Sequence, residues 1–283
     1  MSLSGDGLQP IESIREKVAH LAAGGYLPHS GGRRGATSDL TIDETLVLHS
    51  VGWEPVELVC GASSFSIPAG VWLWNQGEIT SASYAYAGAL ARAVASLQGE
   101  CRAVGGHGVV GVHLDVTVER HLVNAVMVGS AVAPSDGSRP PGQPFASDLS
   151  GRDFALLHQG GWDPIGLAYG ASFVNAPRRS ISVAMRQTSQ NVELTNYTEA
   201  LYAARESAME RMQSMAERLS GQGVVGVRVS EGTVGFARHA IRFAAWGTVI
   251  RRSGRADRLG EPSMVVPLRD ESTAFDAASL RGG

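Results

Sequence analysis

The sequence predicts a chain of mixed helix and strand, built from two tandem copies of one unit. Three observations carry this. From Glu193 to Val227, apolar or small residues fall at Tyr197, Leu201, Ala204, Ala208, Met212, Met215 and Leu219. Steps of three or four draw one stripe along a helix; Thr195 is placed to cap its start and Gly221 to end it, before a β-branched run. Much of the same pattern occurs between Glu78 and Val112, which ends in HGVVGV where the later copy has QGVVGV. Finally, LHSVGWEPVELVCGAS (Leu48–Ser63) aligns without a gap on LHQGGWDPIGLAYGAS (Leu157–Ser172). Arg120-His121 also stands opposite Arg238-His239, and Gly129-Ser130-Ala131-Val132 opposite Gly247-Thr248-Val249-Ile250.

Taken in order, residues 1–38 read as an N-terminal extension. In it, Ile11, Ile14, Val18 and Leu21 mark one face of a short amphipathic helix after Pro10. The first repeat is assigned to 39–133. Leu46–Val51 reads as a strand, Gly52-Trp53-Glu54-Pro55 as a turn, and Val56–Cys60 as a second strand running into Gly61-Ala62-Ser63. Phe65–Trp74 could form a further strand. A helix follows from about Ser81 to Val104, with few charges, so that much of its other face is expected to be covered as well. Val112, Leu114, Val116 and Val118 alternate with polar residues, the pattern of a half-buried strand, and Leu122–Val132 closes the unit. Residues 134–147, rich in Pro, Gly and Ser, read as a linker. The second repeat spans 148–251, and 252–283 is a flexible tail with one docking strand at Met264–Leu268. Each repeat carries a full strand–helix–strand set, so cutting between Pro134 and Pro144 is expected to leave two folded pieces.

Composition excludes several classes of function. A net charge of -3 and a pI near 6.2 give no basic footprint for nucleic acid. No apolar run approaches the ~20 residues of a membrane span, and the start has no hydrophobic signal core. Cys60 and Cys101 form no CxxC and fit free thiols in a reducing compartment. A cytoplasmic protein without a cofactor is the expectation.

Tyr197, Leu201, Ala204-Arg205-Glu206, Ala208, Ala216, Leu219, Val224-Val225-Gly226 and Gly247-Thr248-Val249 resemble the YbjQ family, which also carries a heavy-metal-binding label. Gly170-Ala171-Ser172 supplies that family's early Gly-Ala element. The resemblance covers nearly all of the second repeat. The first is more distant, with Leu90 in the place of Arg205 and Ala82 in the place of Tyr197. It implies an α+β unit, one long helix on a small and mostly antiparallel sheet, assembling into pentameric rings. It supplies no agreed set of metal ligands.

The candidate binding residues are the matched pairs His49 and His158, Arg120 and Arg238, His121 and His239, and Trp53 and Trp162. A matched histidine could be a ligand, but no HxH, HExxH or CxxC spacing supports a metal site; a strand histidine bonded to a carbonyl is the favoured reading. The arginines could clamp an anion or make interface salt bridges. The tryptophans could anchor a partner or a ring interface, or pack on their own sheet. The Gly-Ala-Ser elements could offer N–H groups to an anion, although close approach of neighbouring strands is favoured. No serine or cysteine stands in a nucleophile signature, so no catalytic residue is assigned.

These readings converge on a non-enzymatic, ring-forming assembly or scaffold protein, a homo-oligomer with pentamer favoured. Its N-terminal helix or C-terminal tail would dock a protein partner. The alternative is a metal- or small-anion-binding protein using the matched His and Arg positions. Two arrangements suit a two-repeat chain, stacked rings or alternation of both repeats around one larger ring. Divergence between the repeats favours stacking.

Overall fold

The computed structural model describes residues 37–68, 77–119, 121–138, 141–176, 195–234, 237–255, 264–265 and 275–276. In order, its elements are α1 (Ile42–Ser50), β1 (Trp53–Ser66), β2 (Gly77–Glu78), α2 (Thr80–Ala103), β3 (Gly108–Glu119), β4 (Leu122–Pro134) and β5 (Phe145–Ala146). They continue as α3 (Gly151–Gln159), β6 (Trp162–Asn175), α4 (Thr195–Arg218), β7 (Gly223–Val234), β8 (Ala237–Arg252), β9 (Met264–Val265) and β10 (Phe275–Asp276). The class is α+β with antiparallel-rich sheets. The expected N-terminal helix, residues 69–74 of the strand expected at Phe65–Trp74, residues 177–194 and most of the tail lie outside the described residues. Within the tail, β9 and β10 pair antiparallel with each other.

One expectation fails at the start of the fold. Residues Leu46–Val51 are the end of helix α1 and its C-cap, not a strand. Thr41 accepts from the Glu44 amide, and the Glu44 carboxylate accepts from the Thr41 amide, a complete capping box. Two reciprocal caps fix the first turn, and the apolar residues that imitate a strand continue it. Helix α3 starts with one half of this arrangement, the Ser150 hydroxyl accepting from the Asp153 amide. His49 and His158 are therefore residues of helix C-terminal turns, not of strands.

The sheets run β1-β4-β3-β5 and β2-β6-β8-β7. Strand β1 is antiparallel to β4, as β6 is to β8, and both pairings shift register at their prolines, between Pro55 and Glu57 and between Pro164 and Gly166. The segment read as a linker is structured at its end, because β5 adds parallel to β3.

The long helices lie where the spacing places them, α2 and α4 each spanning 24 residues. Met212 is buried and Glu210 exposed, so the apolar stripe of α4 faces the second sheet. At the end of α4 the left-handed residue is Ser220 (φ 58), not Gly221. The Gly221 amide then reaches back to the Ala216 carbonyl at 2.9 Å, and the Gly106 amide reaches Cys101 in the same way at 2.8 Å. These are the six-to-one bonds of a Schellman stop. Gly221 is needed because a Cβ would lie 2.2 Å from a Val249 methyl carbon.

Helix α2 has sheets on both sides. Its residues Ala82, Tyr86, Ala89, Ala93 and Leu97 share one core with Val59 and Met127 of the first sheet and with Leu167, Ala171, Phe173 and Ala244 of the second. Helix α4 covers the opposite face of the second sheet, with Ala168, Val174, Phe243 and Val249 beneath it. The layers are thus sheet, helix, sheet, helix. The near absence of charge on α2 follows, since its outer face is covered by the chain's own second sheet. The two pieces expected to fold alone share this core.

Candidate functional site

Of the residues singled out from sequence, the structure brings Trp53 and His158 into ring contact. His49 Nδ1 lies 3.7 Å from Glu54 Oε1 at the surface. His158 Nδ1 lies 3.4 Å from Asp163 Oδ1 and also 2.9 Å from Arg255 Nη2. Nδ1 of His158 thus lies between the Asp163 carboxylate and the Arg255 guanidinium, which itself reaches the Asp163 carboxylate and the Trp162 carbonyl. Each matched histidine faces the matched carboxylate of the GW[ED]P run, which is not a turn but the start of strands β1 and β6 after a left-handed glycine. His121 is exposed, and its carbonyl accepts from the Ile67 amide at 2.7 Å. Arg120 and the side chains of Arg238 and His239 lie outside the described residues. Among the described residues, no group of three or more His, Cys, Asp or Glu is placed to hold a metal ion.

The tryptophans differ in surroundings. Trp53 meets Phe154 edge-on at 5.1 Å between centroids, with His158 at 5.8 Å, Phe145 at 6.1 Å and His107 at 6.2 Å. Three of these four partners come from beyond residue 144, so Trp53 anchors a junction between the halves. Trp162 carries the Arg252 guanidinium over its ring at 5.1 Å, a cation–π contact.

The Gly-Ala-Ser elements seat a helix. A Cβ on Gly61 would lie 2.2 Å from the Ala93 carbonyl oxygen, and one on Gly170 would lie 2.0 Å from that of Ala208. What approaches closely is the helix backbone, not the neighbouring strand. Ser63 adds a bond from its hydroxyl to the Ala89 carbonyl at 2.7 Å.

The most organised polar site was not singled out from sequence. It is built from a repeated Ser-Asp-Leu-[Thr/Ser] run, Ser38–Thr41 and Ser147–Ser150, each ending in a helix N-cap. Asp148 is 5% exposed. The Thr248 hydroxyl donates to its Oδ1 at 2.6 Å, and its amide lies 3.1 Å from that hydroxyl oxygen. Oδ2 has no hydrogen-bond partner among the described residues, with Arg228 Nε 3.6 Å away. Burial pushes the Asp148 carboxyl above the usual range, although Thr248 and Arg228 pull it back. Asp39 makes the matching pair with Ser130, whose hydroxyl donates to its Oδ1, yet Asp39 is exposed. Both aspartates line one cavity of about 240 Å³ with Glu44, His113, Asp153 and Arg228. The signal was in the sequence as the repeated SDL run before each cap.

The halves are also joined by charge. Strand β2 precedes α2 but pairs with β6, Glu78 opposite Val174. Arg211 on α4 donates from Nη2 to Glu78 Oε2 at 2.9 Å and from Nη1 to the Ala171 carbonyl at 2.6 Å. The Ser83 hydroxyl donates to Oε1 at 2.7 Å. Burial works to raise the Glu78 carboxyl, but the bonds from Arg211 and Ser83 outweigh it and hold it below the usual range. A depressed folded pKa means stability present above the unfolded glutamate value of about 4.3 and lost as pH falls through the folded value. The difference in melting temperature between wild type and Glu78→Gln should be full at pH 7 and shrink below that range. A difference independent of pH would show that the carboxylate charge plays no part.

Residues 177–252 match the YbjQ family model, described as "Putative heavy-metal-binding". This match falls within the second half, where the resemblance was read. A UPF0145 protein of Acinetobacter baylyi is 37% identical over 70 residues, 25% of this chain and 63% of that protein. A UPF0145 protein of Thermotoga maritima is 37% identical over 73 residues, 26% of this chain and 66% of its own. The encapsulin nanocompartment protein Rv1762c of Mycobacterium tuberculosis is 36% identical over 244 residues. That alignment covers 82% of this chain and 91% of the relative. With near-complete coverage at that identity, this chain belongs to the family of the Mycobacterium tuberculosis encapsulin nanocompartment protein Rv1762c.

Proposed function

We propose that this chain is a non-enzymatic, cytoplasmic assembly protein, a tandem YbjQ-like duplication whose copies associate into a closed ring or shell. The observation that carries the reading is the alignment with a relative named as an encapsulin nanocompartment protein, over 91% of that relative's length. Two features support it. The halves repeat one element order and pack side by side, so one chain already contains a contact between YbjQ-like units. The outer strand of the second sheet, β7, leaves Val227 and Val229 exposed. Closed rings cover edges that would otherwise pair at random. Partner proteins would dock through the N-terminal helix or the C-terminal tail.

The test is solution mass. The expected state is a homopentamer of about 150 kDa, estimated from closed cyclic symmetry and a chain of 29.7 kDa. Light scattering at micromolar concentration that gives a single-chain mass would overturn the assembly reading. The metal alternative is checked on the same sample after incubation with zinc, nickel or copper. We expect no stoichiometric metal; a bound ion lost on replacing both His49 and His158 with alanine would establish that alternative instead.

A further inference from the structure

We propose that the outer edge of β7 receives residues 37–40 of a second copy of this chain, head to tail. The inference rests on the assembly reading and names the surfaces that make it. It follows from a contact already present inside one chain. In the first sheet, β3 bulges at Gly111 (φ 65), and the register shifts between Val110 and His113. The bulge turns two amides outward. Gly111 donates to the Leu149 carbonyl at 2.7 Å, and Val112 donates to the Ser147 carbonyl at 3.0 Å. The Ser147 amide in turn donates to the Val109 carbonyl at 2.9 Å. The segment entering the second half thereby becomes the outer member of the first sheet.

Strand β7 repeats the receiving half of this contact. It carries the same Val-Val-Gly-Val run, with Gly226 at φ 65 and a register shift between Val225 and Arg228. The left-handed glycine repeats a bulge that L-residues with a Cβ rarely adopt. Yet among the described residues the second sheet ends at β7, with no counterpart of β5 beside it. Burial records the difference. Val112 is 3% exposed where β5 and the following residues cover it, while the matched Val227 is 43% exposed.

The donated half is repeated too. Thr37-Ser38-Asp39-Leu40 matches Ala146-Ser147-Asp148-Leu149 in sequence. Asp39 is fastened to Ser130 of its own sheet as Asp148 is to Thr248. Asp39 is exposed, whereas Asp148 is buried. A receiving edge without its segment and a segment without its edge, both preformed, are completed together by a second copy. Because the edge and the segment are different surfaces of one chain, the contact is heterologous and propagates from copy to copy, into a ring where the rotation closes. By the internal register, the Ser38 amide of one copy donates to the Val224 carbonyl of the next. The Val227 amide donates back to the Ser38 carbonyl.

Val227→Arg in the full-length chain places a charge where the entering segment must lie. Light scattering should find the mass reduced from the wild-type assembly to 29.7 kDa, with an unchanged circular dichroism spectrum. A second arm covers the case in which that variant fails to fold. Thr37→Cys with Val224→Cys, in a Cys60→Ser background, should oxidise into a ladder of linked chains on a non-reducing denaturing gel. Either single-cysteine variant should stay at one chain. If Val227→Arg leaves the mass unchanged and the double-cysteine chain forms no ladder, this interface is wrong while assembly stands. Dimers from a single-cysteine variant would mean a two-fold contact and also overturn it. A single-chain mass for the wild type removes both readings together.

Discussion

Replacing Phe154 with alanine should cost about 3–5 kcal/mol of stability, measured by denaturant unfolding. The ring is 0% exposed and lies between α1 and the first sheet, in a cluster with Leu48, Val110 and Val132. It stacks on Phe145 at 5.7 Å and meets Trp53 edge-on. Truncation leaves a cavity whose walls are a helix from each half and the β3 edge, none of which can close alone. The same change should loosen the hold between the halves. Wild-type protein cleaved between Pro134 and Pro144 is expected to stay together as one particle, and cleaved Phe154→Ala to separate more readily. A cost below about 1 kcal/mol would show that the junction contributes little to the fold.

Gly170→Ala should have a still larger effect, on the order of 4–5 kcal/mol or outright failure to fold. The added Cβ would lie 2.0 Å from the Ala208 carbonyl oxygen and 2.7 Å from the Met212 amide nitrogen. Both are helix backbone, so no side chain can swing aside; α4 itself must lift from the sheet. Gly99 is the internal control. It sits within α2, and an added Cβ there meets nothing within 4 Å. Gly99→Ala should therefore stabilise by about 0.4–1 kcal/mol through the unfolded state. Similar thermal shifts for the two variants would mean that the close seating of α4 on β6 is wrong.

Legibility of the fold in the sequence followed the length of each pattern. Helices α2 and α4 were readable because 24 residues repeat one spacing several times over, and β3 because four valine or leucine positions alternate. Helices α1 and α3 have 9 residues each, too few turns for periodicity to outvote a run such as Leu46-Val47-Leu48. The capping box at Thr41 and Glu44 was the local signal that decided otherwise. The matched glycines pointed to close approach, but only coordinates reveal that a helix backbone is what approaches. Of the candidate site, the carboxylates facing His49 and His158 were visible in the GW[ED]P runs as Glu54 and Asp163. The junction around Trp53 was not. Three of its partners lie roughly a hundred residues onward, and matching residues between the two halves hides them, since Phe154 stands opposite Thr45.

The crossing of β2 into the second sheet also sets an order of events during synthesis. Glu78 leaves the ribosome 133 residues before its partner Arg211, and Ser83 on α2 precedes Phe173 by 90. At translation rates of about 5–20 residues per second, the first half waits on the order of ten seconds for both. During that interval the shared core is half built, and Tyr86 and Ala82 present an apolar surface to whatever is near. On a polysome, the nearest such surface is the same helix of another nascent copy.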